Sequence, residues 1–310
     1  MEPDQLRKDI LMTIAYYDVL DYPVTVFEIW KYLSNSKQEE APESVSLAEV
    51  VKGISDERLK RLVESRAGFF FLKGRSDLVG QRIRRQKISQ GKLKKLMRAA
   101  SILRLVPFVR MIAITGRLAM KNAEPQSDLD ILVVLKAGKI FTGRTLVTIL
   151  VHLLGMRRYG KKVADRICLN YFITTRSLEI SMKDMFAASE YFFIFPIFGF
   201  KTFRKFQKHN AWIGMHKPNY TVDLLPNIRM LRNSRRTRWI RRIGEWILKP
   251  GIIEDYLASW QIKRIQKNPL THAPGSMVVA DERALIFLPD PHGPKVFDAF
   301  KERLDGISRT

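Results

Sequence analysis

Two aspartates separated by a single residue, Asp128 and Asp130, stand at the head of an apolar segment whose sequence from 127 to 135 is SDLDILVVL. Because side chains alternate between the two faces of a strand, both carboxylates are expected on the same side. Two like charges held that close repel each other unless a cation lies between them, and carboxylate oxygens are ligands that suit Mg²⁺ or Mn²⁺. The pair therefore predicts a divalent metal site.

A second element must lie beside this strand if the site is to act on a phosphate. An apolar strand is predicted over residues 111–114, and it stops at Thr115 and Gly116 before a helix-compatible run that begins with Arg117. A glycine between a strand and a helix lets backbone N–H groups approach a phosphate, and the helix dipole favours negative charge there. A phosphate site and a metal site would then lie at the ends of neighbouring strands.

This order of strand, glycine turn, short helix and Asp-x-Asp strand resembles the nucleotidyltransferase fold of the DNA polymerase beta superfamily. Gly116-Arg117 and Ser127-Asp128-Leu129-Asp130 stand at the positions of the superfamily signature. The resemblance implies Mg²⁺-dependent transfer of a nucleoside monophosphate from a nucleoside triphosphate to a hydroxyl. Asp128 and Asp130 would hold the metal, and the phosphates would contact Thr115, Gly116, Arg117 and Ser127.

The sequence departs from the superfamily at two positions. The third carboxylate of the superfamily lies on a later strand, predicted here over residues 166–174, where its place is assigned to Asn170 as the third catalytic position. An amide can orient a ligand but cannot act as a base. Asp165, just before this strand, is a possible substitute for the third carboxylate, but strand alternation places it on the opposite face from Asn170 unless a bulge intervenes. Arg117 replaces a small residue, and its guanidinium would either hold a phosphate or point outward. The alternative function is a protein that binds nucleotide or nucleic acid without catalysis.

The chain of 310 residues carries a formal charge of +23 and a pI near 10.2, which favours polyanionic partners. RNA or DNA, nucleotide phosphates and an anionic membrane surface all qualify. The single cysteine, Cys168, excludes an internal disulfide and is expected to be buried, and a cytoplasmic location is expected. The most apolar runs are too short to span a bilayer, so no transmembrane segment is expected.

The first 76 residues have the order of a winged helix, with capping boxes predicted at Thr25 and Ser46. Helical spacing is expected to continue past Val63, followed by a short strand over residues 69–72 and a basic turn, Lys73-Gly74-Arg75, that would form a wing tip facing a phosphate backbone. Packing or protein docking is the alternative role. Most of the chain, including Ala15-Tyr16-Tyr17-Asp18 and Cys168-Leu169-Asn170, is similar to uncharacterised bacterial nucleotidyltransferase-domain proteins with a winged-helix-like N-terminus.

The expected fold class is α+β, a nucleotidyltransferase-like mixed sheet flanked by helices. The expected regions are a winged-helix-like domain (1–76), a basic helical linker (77–106), a nucleotidyltransferase-like domain (107–226) and a mostly helical C-terminal region (227–310). Glu190, in an aromatic run expected to form core, is predicted to pair with a nearby arginine, and the alternative is that it binds a substrate cation or ribose. The arginine- and tryptophan-rich segment 227–249 would meet a membrane surface, a nucleic-acid backbone or, by default, the body of the protein.

Overall fold

The computed structural model describes residues 2–37, 43–222 and 230–308. Its N-terminal part contains a three-stranded antiparallel sheet of order β1-β3-β2 together with four helices. The elements in chain order are α1 (Pro3–Val19), β1 (Val24–Thr25), α2 (Val26–Lys31), α3 (Leu47–Ile54), α4 (Glu57–Lys60), β2 (Val63–Arg66) and β3 (Phe69–Leu72). Both predicted capping boxes are confirmed, because Thr25 and Ser46 each accept the backbone N–H of the glutamate three residues later.

The basic turn is not the tip of a wing. The segment from Val63 to Arg66 is a strand rather than the predicted helix, and Ala67 and Gly68, both with positive φ, close its hairpin with β3. The turn at Lys73-Gly74-Arg75 instead follows β3. The Arg75 guanidinium lies 2.6 Å from the Asp21 carboxylate, so it neutralises acids of its own domain.

The basic segment after this domain forms a single continuous helix, α5 (Asp77–Leu103). Three of its basic side chains are buried and make internal ion pairs: Arg82 lies 2.6 Å from Glu28, Arg85 lies 2.5 Å from Glu124, and Lys92 lies 2.9 Å from Asp165. These contacts reach both the N-terminal part and the loops of the following domain. Helix α5 therefore packs against both parts of the chain, and its three buried basic side chains are not available to bind a polyanion.

A six-stranded mixed sheet of order β7-β4-β5-β6-β9-β8 forms the centre of the rest of the chain. Only β5 and β6 run parallel, and the other neighbouring strands are antiparallel. The strands are β4 (Val109–Ile114), β5 (Leu129–Leu135), β6 (Ile167–Thr174), β7 (Phe195–Phe198), β8 (Met277–Ala280) and β9 (Ala284–Leu288). The mixed α+β class is thereby confirmed.

Helices cover both faces of this sheet. One face packs against α5, α7 (Ile140–Leu153) and α12 (Gly251–Gln266), and the other against α8 (Met185–Phe192), α9 (Phe200–His209) and α10 (Ile213–His216). The remaining elements are α6 (Gly116–Ala119), α11 (Arg235–Ile247), a short 3-10 helix (Pro269–Thr271) and α13 (His292–Ser308). Because β5 is buried on both faces, its alternate residues enter two separate cores, and Asp130 shares a face with Leu132.

The C-terminal region is less separate than its predicted boundary implies. Its strand β9 pairs with β6, and α13 packs against α1, where the Phe300 and Tyr16 ring centroids lie 5.6 Å apart. The region thus completes the central sheet and also contacts the N-terminal part. The predicted boundary at residue 226 and the first residues of the segment 227–249 lie outside the described part of the chain.

Candidate active site

The aspartate pair lies where β5 begins, next to the end of β4. Asp128 precedes the first residue of β5 and Asp130 is its second residue. One ligand atom from each of Asp128, Asp130 and Cys168 lies within 4.8 Å of the others. The Thr115 N–H donates a 3.2 Å hydrogen bond to the Asp130 carbonyl, which joins the glycine turn to the aspartate strand. The predicted clustering of the two carboxylates with this turn is therefore present.

The two carboxylates differ in how their charge is compensated. Asp128 accepts a 2.5 Å hydrogen bond from Arg158, whose guanidinium also lies 3.4 Å from the Cys168 sulfur. Asp130 forms no ion pair among the residues that the structure describes. Burial, reinforced by repulsion from Asp128 and Glu190, raises its pKa to about 7. Asp130 is consequently a partly buried acid that has no paired cation among the described residues.

Gly116 is required at the turn for two reasons. Its φ is +62°, a conformation that side chains disfavour, and a Cβ atom built on it would lie 2.9 Å from Oδ2 of Asp130. The glycine therefore allows the backbone of the turn to contact the carboxylate directly. This is the position at which a triphosphate would have to approach both the turn and the carboxylate pair.

Two other predicted phosphate contacts, Arg117 and Ser127, stabilise the loop between α6 and β5. Arg117 lies 2.5 Å from the Glu124 carboxylate, and the Ser127 hydroxyl accepts the Glu124 N–H at 2.9 Å. Glu124 also pairs with Arg85 of α5, so it anchors the loop from two sides. Arg117 and Ser127 both line the cavity described below, and Nη1 of Arg117 and the hydroxyl of Ser127 already contact Glu124.

Cys168, rather than Asn170, lies opposite Asp130 on the neighbouring strand. The β5–β6 register pairs Asp130 with Cys168 and Leu132 with Tyr171, which leaves one extra residue on β6 between the two pairs. Such a β-bulge shifts the alternation of side chains by one residue. Asn170 lies in this irregular segment and lines the same cavity. Burial and the neighbouring carboxylates raise the pKa of Cys168 to about 12, so its thiol is protonated.

Asp165 does not substitute for the missing third carboxylate. It has a positive φ of 59° just before β6, and its carboxylate lies 2.9 Å from Lys92 and 2.5 Å from Lys95. Both lysines belong to α5. Asp165 therefore attaches the start of β6 to the connector helix.

A cavity of about 340 Å³ opens beside the aspartate pair. Its walls are largely apolar and come from α1, α8, the β8–β9 hairpin and α13, with lining residues that include Tyr16, Phe186, Tyr191, Met277, Ile286 and Val296. This cavity was not predicted from the sequence, because its walls come from elements that are far apart in the chain.

Glu190 of α8 lines this cavity. Among the described residues it forms no ion pair, so the predicted pairing with an arginine is wrong. Burial, with repulsion from Asp184, raises its pKa to about 7. One signal is visible in the sequence, namely a single acid inside an aromatic run, SEYFF at 189–193. Such a residue is either paired or directed at a ligand.

The residues present fit a divalent cation bound by two carboxylates. Mg²⁺ in phosphate-transfer sites is often bound by one or two carboxylates, with water and substrate phosphate oxygens completing its coordination. Asp128 and Asp130 supply such oxygens, and repulsion between them and Glu190 favours a cation. The soft, protonated thiol of Cys168 is a poor ligand for Mg²⁺.

Comparison with protein-family models gives no match, and neither curated proteins nor solved structures match the chain.

Proposed function

We propose that the chain is a metal-dependent nucleotidyltransferase that transfers a nucleoside monophosphate from a nucleoside triphosphate to a hydroxyl. The observation that carries this proposal is the Asp128–Asp130 pair in contact with the glycine turn at Gly116. A carboxylate pair with an uncompensated charge suits a cation, and an open glycine turn next to it suits the phosphates that the cation accompanies. The antiparallel β4–β5 pair followed by the parallel strand β6 supports the nucleotidyltransferase-like arrangement.

In this proposal each side chain has a defined task. Asp128 and Asp130 hold the metal, which when bound neutralises charge on the triphosphate. Gly116 lets the backbone of the turn approach the phosphates, and the hydrogen bond from the Thr115 N–H to the Asp130 carbonyl holds that turn beside the carboxylates. The acceptor oxygen attacks the α-phosphorus, the bond to the leaving oxygen breaks and pyrophosphate departs.

We assign the acceptor side of the site to Glu190. A carboxylate that faces the cavity without an ion pair can accept the proton of the attacking hydroxyl, a task for which neither Asn170 nor the protonated Cys168 is suited. The apolar walls and the volume of about 340 Å³ favour a small acceptor with an apolar body.

For the N-terminal part we infer a winged-helix-like module with a packing role. The order α1-β1-α2-α3-α4-β2-β3 and the three-stranded antiparallel sheet support the module. Its contacts support the role: Asn219 donates to the Trp30 carbonyl at 2.7 Å, and Lys217 donates to the Tyr32 carbonyl at 3.2 Å. The turn predicted to face nucleic acid contacts Asp18 and Asp21 through Arg75.

The second candidate is a binding protein that has lost catalysis. The Arg158–Asp128 ion pair and the absence of a carboxylate opposite Asp130 favour it, because both reduce the negative charge available for a metal.

Calorimetry with a panel of nucleoside triphosphates, with and without Mg²⁺, tests the proposal. The wild-type protein is expected to bind at least one triphosphate only when metal is present, and Asp128→Asn with Asp130→Asn is expected to abolish that binding. Asp290→Asn is the matched control, because Asp290 lines the same cavity outside the pair. Equal, metal-independent affinities in all three proteins would overturn the assignment. Metal-dependent binding without pyrophosphate release would favour the binding protein.

A further inference from the structure

Helix α11 packs onto the protein through its polar side. Its buried side chains are Thr237 and Arg241, and the partly buried Glu245 forms a bidentate ion pair with Arg110 at 2.7 and 3.0 Å. A Cβ built on Gly244 would lie 2.5 Å from Pro107, so the helix lies in close contact with the start of the central domain. Helix α11 therefore packs on the body of the protein, which was the default prediction, and it does so through its polar side.

The apolar side of α11 consequently faces solvent, and α12, which follows it after residues 248–250, also exposes apolar side chains. Trp246 is 76% exposed, Ile252 is 80% exposed and Tyr256 is 70% exposed. Three of the five tryptophans of the chain belong to this surface. We call it the α11–α12 surface, and its apolar members are Trp239, Ile240, Ile243, Trp246, Ile247, Ile252, Tyr256 and Trp260.

Both helices are held by polar contacts on their inner sides. The Glu254 carboxylate of α12 accepts the N–H groups of Phe141 and Thr142, each at 2.9 Å. Lys139 donates to the three consecutive carbonyls of the linker between the helices, residues 248–250. The exposed side chains therefore project from a fixed backbone, and their exposure does not reflect a detached segment.

Basic side chains surround these apolar ones. Asp255 is the one exposed acid of the two helices, whereas their exposed basic residues are Arg235, Arg236, Arg238, Arg242, Lys263 and Arg264. Tryptophan and arginine together are typical of helices that lie in the interface of an anionic bilayer, with the apolar side chains in the acyl boundary and the cations at the headgroups.

We propose that the α11–α12 surface docks the protein onto lipid bilayers rich in anionic headgroups. Nucleic acid would neutralise the arginines but would leave the isoleucines in water. A second copy of the chain would bring the same excess of positive charge against itself. None of the helices in residues 2–37, 43–222 and 230–308 combines the length and the hydropathy that spanning a bilayer requires.

Co-sedimentation of the full chain with vesicles tests the proposal. Binding is expected to vesicles of mixed phosphatidylglycerol and phosphatidylcholine, to be at least about tenfold weaker to phosphatidylcholine alone, and to fall as salt increases. Trp239→Ala with Trp246→Ala is expected to weaken binding about tenfold or more and to reduce the blue shift of tryptophan emission at a given lipid concentration. Leu270→Ala is the matched control, since Leu270 is exposed and apolar but lies outside both helices.

Several results would overturn the proposal. One is vesicle binding that the double tryptophan variant retains. Another is binding of RNA or DNA, without vesicle binding, that the tryptophan substitutions leave unchanged. A third is a dimer in light scattering that the double variant converts to a monomer while neither protein binds vesicles, which would identify the surface as an interface between copies. None of these readouts depends on the aspartate pair, so they also separate this proposal from the proposed enzymatic function.

Discussion

At the scale of single residues, the site is defined by an imbalance between two neighbouring carboxylates. Asp128 has a partner in Arg158, whereas the partly buried Asp130 repels both Asp128 and Glu190. Arg158 thus supplies part of the positive charge that a metal would supply. Its side chain is about half exposed, which allows it to leave Asp128 when a cation arrives.

Replacing Arg158 tests this competition. We expect Arg158→Met to raise Mg²⁺ affinity in the absence of nucleotide by up to about fivefold, because an exposed ion pair contributes about 0.2–1 kcal/mol. Arg157→Met is the control, since Arg157 is an exposed arginine that forms no ion pair with the aspartates. Calorimetric titration of the three proteins with MgCl₂ measures the effect, and an unchanged or lower affinity in Arg158→Met would refute the competition.

The strand register predicts which position can restore a third carboxylate. Cys168→Asp puts a carboxylate opposite Asp130, so we expect it to raise Mn²⁺ affinity about tenfold or more and to lower stability without metal through repulsion. Asn170→Asp is expected to have the smaller effect. Metal titrations and thermal unfolding with and without Mn²⁺ provide the comparison. A larger gain in Mn²⁺ affinity in Asn170→Asp than in Cys168→Asp would mean that Asn170, and not Cys168, faces the aspartate pair.

These residues also show what sequence reasoning could and could not supply. The aspartate pair and the glycine turn were predictable, because alternation along a short strand is local. The sequence could not show that Cys168, rather than Asn170, lies opposite Asp130, because a one-residue bulge in β6 leaves no clear mark in the sequence. Glu190 was visible as an isolated acid, but its cavity is formed by elements from across the whole chain.

At the scale of elements, the glycine turn between β4 and α6 determines how closely backbone and carboxylate approach. We expect Gly116→Ala to remove metal-dependent triphosphate binding, because its Cβ would displace the Asp130 carboxylate. The strained φ should also cost about 1 kcal/mol of unfolding free energy or more.

Gly138→Ala is the matched control for that substitution. Gly138 has a similar φ of +72° and no atom within 4 Å of its built Cβ. The two variants should lose similar stability in denaturant unfolding, and only Gly116→Ala should lose triphosphate binding in calorimetry. If Gly116→Ala kept its triphosphate binding, the glycine turn would not be part of the proposed site.

For helix α11, the sequence predicted the two faces but not which of them packs against the protein. Periodicity identified the apolar residues that share one face and the arginines on the other. It could not show which face the protein covers, because that choice depends on the partners Pro107, Arg110 and Phe198. Burial of the polar face is favourable here because Arg241 and Glu245 each find a charged, carbonyl or aromatic partner.

At the scale of the whole molecule, the basic residues behind the charge of +23 are divided between the interior and the surface. Arg82, Arg85, Lys92 and Lys217 are buried and hold parts of the chain together. Composition predicted an affinity for polyanions but could not separate these internal cations from exposed ones. Lys217 is the extreme case, because it is fully buried between the N-terminal helices and α10, above the rings of Tyr16 and Tyr17.

Burial lowers the pKa of Lys217 to about 7, from a model-compound value of 10.5. Between those values the unfolded chain binds the proton and the folded chain does not, so this residue makes the free energy of unfolding rise with pH across that window. We expect Lys217→Met to remove this contribution, which amounts to at most about 1.4 kcal/mol per pH unit. Urea unfolding at several pH values from 7 to 10 measures both slopes. An exposed lysine variant, Lys60→Met, should keep the wild-type slope, and an unchanged slope in Lys217→Met would contradict the assignment.

The most direct test of the account is the location of a bound metal. Crystals grown with Mn²⁺ and a non-hydrolysable nucleoside triphosphate should give an anomalous-scattering peak about 2.1 Å from carboxylate oxygens of Asp128 and Asp130. Triphosphate oxygens should lie on the same ion and against the Gly116 turn. A nucleotide bound elsewhere, or a manganese peak that touches neither aspartate, would contradict the proposal that this pair forms a nucleotidyltransferase site.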